Sequence, residues 1–212
     1  MAPGRGKDKK GQAEQIDKMI AFIKQTPQRE LALKISEEFS ELPERYVVLA
    51  MPKTKKYGLV AVELIKYFSR QKIPGIYITT NKPMSYLIKH FKDYKLDVSK
   101  VAFIDAITIR SGEKEVEGSC YVYIDSPRNL TELNIEVDEG LERVKGEKRF
   151  VIVDSLSTLL IYNKETVVHK FIHSLAGKLR ANNVMAVMLI TADTPKSTIN
   201  VLAQFCDKTV EI

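Results

Sequence analysis

Three stretches of this chain carry residue types that could handle a phosphate ester. Positions 50–58 run AMPKTKKYG, between the apolar run Tyr46-Val47-Val48-Leu49 and the helical pattern Val60-Ala61-Val62-Glu63-Leu64-Ile65. A strand, a short lysine-rich loop and a helix is the layout in which loop N–H groups and a lysine cradle phosphates. A second apolar run ends in Thr79-Thr80-Asn81, and a third, Phe150-Val151-Ile152-Val153, ends in Asp154. A carboxylate at the carboxyl edge of a parallel sheet is where a nucleotide's magnesium ion is held. An aspartate there can equally cap the turn that follows it. The glycines that a phosphate loop needs are missing, so either the site takes an unfamiliar form or it has been lost.

The elements that would position these residues follow from the hydrophobic pattern. Apolar, β-branched runs predict strands at Arg45–Ala50, Gly75–Thr80, Val101–Ala106, Tyr121–Asp125, Arg149–Asp154, Val184–Ile190 and Lys208–Ile212. Helical spacing predicts helices at Gly58–Gln71, Lys82–Tyr94, Leu130–Val144, Glu165–Asn182 and Lys196–Phe205. Near-continuous apolar strands suit a parallel sheet covered on both faces, and their alternation with helices predicts an α/β sandwich with right-handed crossovers. The polar stretch Thr108–Ser119 reads as an exposed loop or hairpin tip. Before the first strand, Ile16, Met19, Ile20 and Ile23 recur at helical spacing. Thr26-Pro27 then opens a second helix carrying Leu31, Leu33, Ile35 and Phe39 and ending near Pro43. The predicted organisation is a flexible basic arm (1–12), an N-terminal helical extension (13–44) and one large domain (45–212).

The 212 residues are enough for one sizeable core, and the composition is that of a globular protein, 44% hydrophobic and 28% charged. No run approaches the ~18 apolar residues of a membrane span. The start, MAPGRGKDKKGQ, has no apolar signal segment, so a cytoplasmic protein with no membrane partner is expected. Cys120 and Cys206 lack metal-ligand spacing and read as reduced, buried thiols. The net charge is +6, and Arg5, Lys7, Lys9 and Lys10 concentrate part of it in the arm. Such an arm either solubilises the chain or contacts nucleic acid or acidic partners.

The run FVIVDSLSTLL, then the helix ETVVHKFIHSLAGKLR, the strand VMAVMLIT and the terminal CDKTVEI, resembles the RecA-superfamily ATPases of the KaiC-like branch. Archaeal proteins of that branch commonly show a strand ending in Asp-Ser-Leu-Ser, followed by helix, strand, helix and a terminal strand. The resemblance covers roughly residues 45–212. It implies a RecA-like sandwich around a mostly parallel sheet, with ATP bound between subunits of a ring or filament, or use as a signalling ATPase.

The opening loop departs from that pattern. A working loop follows Gly-x-x-x-x-Gly-Lys-Ser/Thr, because backbone N–H groups must reach the phosphates unobstructed. Helix phase places Met51–Gly58 on those positions: Met51 and Lys56 replace the glycines, Tyr57 the lysine and Gly58 the hydroxyl ligand. A one-residue shift restores Lys56 as the loop lysine but leaves Ala50 and Lys55 for the glycines. Side chains there disfavour left-handed backbone by about 1–2 kcal/mol, and Pro52 deletes an N–H donor. Lys53, Lys55 and Lys56 keep positive charge without the cradle. The family's catalytic glutamate, expected after the second strand, is replaced by Thr79, Thr80 and Asn81, none of which takes a proton from water at neutral pH.

The sequence therefore predicts a degenerate nucleotide site at Met51, Lys53, Lys55, Lys56, Tyr57, Gly58, Asn81 and Asp154. No catalytic residue, no cofactor and no metal is expected, with Asp154 the ligand if magnesium is bound. The expected function is a pseudo-ATPase: a non-catalytic regulatory or scaffolding subunit, of signal-transduction type, that forms a homo-oligomer or pairs with another protein. Two alternatives stay open. One is a residual ATP–magnesium switch or weak ATPase. The other is a nucleic-acid-binding accessory protein that uses Arg5, Lys7, Lys9, Lys10 and the Lys53–Lys56 loop. His169 and His173, four apart on one helix, read as a helix face rather than a zinc pair. Ser155, Ser157 and Thr158 lack a nucleophile elbow. Tyr46, Tyr57, Tyr67, Tyr77 and Tyr86 read as packing residues, and Lys89, His90, Lys92 and Lys95 as a solvated helix end.

Overall fold

The computed structural model describes residues 26–53, 57–113 and 120–212. Arg5, Lys7, Lys9 and Lys10 of the arm, the apolar stripe at 16–23, Lys55, Lys56 and positions 114–119 lie outside the described residues. All seven expected strands form: β1 (Tyr46–Met51), β2 (Gly75–Thr79), β3 (Val101–Asp105), β4 (Tyr121–Tyr123), β5 (Arg149–Asp154), β6 (Val184–Leu189) and β7 (Lys208–Glu211). They make one sheet in the order β4-β3-β2-β5-β6-β1-β7, with every pairing parallel.

The sheet divides two cores. Val48, Ala50, Tyr77, Phe103 and Ile152 point to one face, where they meet α1 (Pro27–Ser40), α2 (Tyr57–Arg70) and α3 (Met84–Asp93). Their strand neighbours Val47, Leu49, Ile76, Ile78, Val151 and Val153 point to the other. That face is covered by α5 (Leu130–Arg143), α6 (Leu156–Tyr162), α7 (Glu165–Ala181) and α8 (Lys196–Ala203). Period-two alternation in strands that are apolar on both sides is what fills two cores at once.

Four local readings are corrected. Thr108–Ser111 forms a short helix, α4, with Thr108 buried, so the first four residues of the polar stretch are not loop. The seven residues of α6 form a helix where only a motif was read. In α1, Leu31, Ile35 and Phe39 are buried at four-residue spacing, whereas Leu33 lies off that stripe and is exposed. Thr26 is its N-cap and Pro27 follows, but the Thr26 side chain makes no capping bond. The α1 stripe reaches the domain through Phe39, whose ring packs 5.6 Å from Tyr46 of β1 and 5.3 Å from Tyr67 of α2. Finally, Cys120 is exposed; only Cys206 is partly buried, where burial pushes its thiol up to about 12.

Candidate nucleotide site

Asp154 ends β5 at the carboxyl edge, in register with Thr79 of β2, and is 1% exposed. Both of its carboxylate oxygens are engaged. Tyr57, the first residue of α2, donates its hydroxyl to Oδ1. Tyr77, inside β2, donates to Oδ2 at 2.5 Å. Burial raises the Asp154 pKa, while the two phenol bonds and the nearby Lys82 charge oppose that rise. Burial and the Asp154 charge push both phenols upward, so they remain protonated donors.

These bonds follow from local sequence. Tyr57 stands where α2 begins, and its aromatic body packs on the core shared by α1, α2 and α3. Tyr77 alternates with Ile76 and Ile78, so its ring is driven into that same core. A buried phenol needs a partner for its hydroxyl, and the neighbouring strand supplies Asp154.

The rest of the carboxyl edge is closed by its own turns. The Thr79 hydroxyl donates to the Lys82 carbonyl at 2.6 Å. Thr80 accepts from the Ser155 N–H at 2.9 Å, and its own N–H donates to the Asp154 carbonyl at 2.7 Å. Asn81 is exposed. Met51 is half-buried, and the Lys53 N–H donates to the Ile212 carbonyl at 2.9 Å. Gly58 lies in the first turn of α2, its carbonyl accepting from His90 Nε2 at 3.1 Å. The structure thus brings Tyr57, Gly58 and Asp154 together, and leaves Met51, Lys53 and Asn81 on the periphery.

Two participants escaped the sequence reading of the site. Tyr77, which reads as a packing residue in the sequence, also bonds Asp154, and the alternation of GIYITT aims it at the α2 side. Lys82 is half-buried; a Cβ added to Gly58 would lie 4.0 Å from its ammonium, which also sits 4.8 Å from the Tyr86 ring. Lys82 therefore brings a cation to the start of α2 from the opposite loop.

Asp154, the magnesium ligand expected from the sequence, has both carboxylate oxygens engaged by phenols. Magnesium demands an octahedron of oxygens and retains several waters, whereas Asp154 is 1% exposed. Ser155 and Ser157 serve internal bonds: Ser157 Oγ accepts from the Thr191 N–H at 2.9 Å and ties α6 to the loop after β6. Among the described residues no cluster of three metal-ligating side chains exists; His173 packs edge-on to Phe205 at 5.0 Å. No described helix is long and apolar enough to cross a membrane.

Comparison with known proteins agrees on the fold. A family model described as "Family of unknown function (DUF7504)" matches residues 71–212, a span that includes Tyr77, Lys82 and Asp154 but begins after Tyr57. No protein of curated function matches the sequence. The KaiC-like protein PH0186 of Pyrococcus horikoshii superposes with a TM-score of 0.59 at 14% identity, over 80% of this chain and 72% of that one. The uncharacterized protein PH0321 of the same organism, solved with an unknown peptide, gives 0.61 at 11% identity, over 84% and 81%. The chain therefore has a KaiC-like, RecA-type fold.

Proposed function

The chain belongs to the DUF7504 family of unknown function, and from that premise we propose that it is a RecA-type domain retained as a non-catalytic regulatory or scaffolding subunit. The observation that carries this reading is the pair of phenols on Asp154. Tyr57 occupies the lysine position of the loop, and with Tyr77 it uses both oxygens that a magnesium ion would need. The absence of an acid after β2 points the same way, since a general base typically supplies ~10²–10⁴-fold in rate. Interaction then becomes the retained role, in keeping with the exposed apolar side chains Ile161 (80% exposed) and Val167 (45%) near the junction of α6 and α7. Exposed apolar groups on neighbouring helices offer a surface for a protein partner or a second copy.

The test is calorimetric titration with ATP and magnesium, combined with a hydrolysis assay on the isolated chain and on any complex it forms. The expected result is no saturable heat and no turnover above background, unchanged by Asp154→Ala. Turnover that disappears in Asp154→Ala would overturn the reading. Light scattering should give a mass above that of one chain or of its isolated partner, and Ile161→Asp should reduce it. A second reading, a residual nucleotide switch, is favoured by one observation: Lys82 returns a cation to the start of α2. It requires magnesium–ATP binding that Lys82→Ala removes.

A further inference from the structure

A cavity of about 640 Å³ opens at the amino edge of the sheet. It lies a strand's length from Asp154, roughly 15 Å at 3.3 Å per residue. Its floor is the apolar face of β3 and β4: Ala102, Ile104 and Val122, with Ile104 and Val122 in register. The covering helix α5 lies over β2 and β3, and its C-cap residue Val144 forms one wall. The sheet face toward β4 is left to the cavity.

The walls are fixed by bonds unrelated to any ligand. The Phe150 N–H donates to the Pro74 carbonyl at 3.0 Å. Gly146 passes so close to Pro74 that an added Cβ would lie 2.9 Å from its ring. Arg149 donates to the carbonyls of Leu141 at 2.6 Å and Asn182 at 2.9 Å, which holds the end of α5 to the sheet. The cavity is preformed.

Its rim is cationic. Lys72, Lys100 and Lys145 stand on it with Arg143 and Lys148, against Glu147 as the acidic lining residue. Arg143 is neutralised by Glu136 and Glu139, and Lys148 by Glu44. The charge of Lys100 acts on Asp97. Lys72 and Lys145 have no ion-pair partner among the described residues.

We propose that this cavity binds a small amphipathic anion, its apolar body on Ala102, Ile104, Val122 and Val144 and its anionic head between Lys72 and Lys145. The volume lies within the ~300–1,000 Å³ of small-molecule sites, and an apolar lining with a few convergent polar groups is their usual composition. Two unneutralised ammonium groups at the mouth select an anion over a neutral molecule of the same shape. The site is independent of the reading given for Asp154.

The experiment uses the fluorescent anion 1-anilinonaphthalene-8-sulfonate with the full chain. Saturable, single-site fluorescence is expected, displaced by decanoate but not by decanol or inorganic phosphate at equal concentration. Lys72→Glu combined with Lys145→Glu, both at exposed positions and checked for a parent-like circular dichroism spectrum, should weaken both ligands by about ten-fold or more. Ala102→Trp should abolish binding while its circular dichroism matches the parent. Failure to saturate, displacement by decanol as strong as by decanoate, or unchanged affinity in the charge-reversed variant would overturn the proposal. Saturable binding of an acidic peptide in place of decanoate would overturn it too, and assign the groove to a protein partner.

Discussion

Asp105 and Asp154 stand in the same row of the sheet, one on each side of Thr79 and each in register with it. Both are strand-end aspartates, and both are buried. Asp105 accepts from the N–H groups of Ile107 and Thr108 at 2.8 Å each and from Met84 at 2.7 Å, with the Thr108 hydroxyl as a fourth donor at 2.5 Å. It satisfies the starts of α3 and α4 and belongs to the backbone. Among the described residues, Asp154 accepts two phenol hydroxyls and no backbone N–H on its carboxylate. An aspartate engaged by main-chain donors is held wherever the chain goes. One engaged by side chains depends on the identity of two particular residues, Tyr57 and Tyr77.

The contrast can be broken most directly by Asp105→Ala. Three N–H groups lose their acceptor, and each unsatisfied buried group costs about 1–3 kcal/mol, so urea unfolding should show a loss of about 3 kcal/mol or more. Asp154→Ala should cost less, because it strands two phenol hydroxyls instead of three N–H groups and a hydroxyl. The reverse order would make Asp154 the structural residue of the two. Next in size is Tyr77→Phe, and with it Tyr57→Phe. Each removes one charge-assisted bond and should lower stability by about 1–3 kcal/mol at neutral pH. A loss near zero in either would mean that the phenol is not a donor that Asp154 needs.

Titration sharpens the difference further. Burial raises the Asp154 pKa above its ordinary value of 3.8, so between that value and the raised one the folded state holds a proton that the unfolded state has released. This group's contribution is therefore fully present below the ordinary value and declines as pH rises through the raised one. Asp154→Asn should remove that slope from a pH series of unfolding curves, and Tyr57→Phe should extend it to higher pH. Identical slopes in the parent and in Asp154→Asn would refute the assignment. The smallest effect is expected from Thr108→Val, about 1 kcal/mol, since Asp105 keeps its three N–H donors.

Much of this architecture is legible in the residues. All seven strands were visible because runs such as Phe150-Val151-Ile152-Val153 are apolar on both faces. The start of α2 at Tyr57 was legible within a residue, because the helical pattern from Gly58 onward is strongly apolar on one face. The bonding of Tyr77 was not. It depends on the pairing of β2 with β5, distant in sequence, and no local pattern states which strand lies beside which. Asp105 was read only as part of a strand, since its partners come from two helix starts, one of them the unforeseen α4. Lys82 needed the same register, because only the folded sheet brings its loop to Gly58. Helix α6 was missed because seven residues hold too little periodicity to separate a helix from a strand extension.

The strand order also governs how the chain comes off the ribosome. Strand β1 is made early, yet its neighbours are β6 and β7, and Tyr46 finds its register partner Met185 about 140 residues later. At the usual ~5–20 residues per second, that leaves the apolar run Tyr46–Met51 without its ladder for roughly seven to thirty seconds. Pairing over such a separation is slow to nucleate in the finished chain as well. Nascent chains arrested before Val184 should accordingly recruit chaperones through β1, and release them once β6 has emerged.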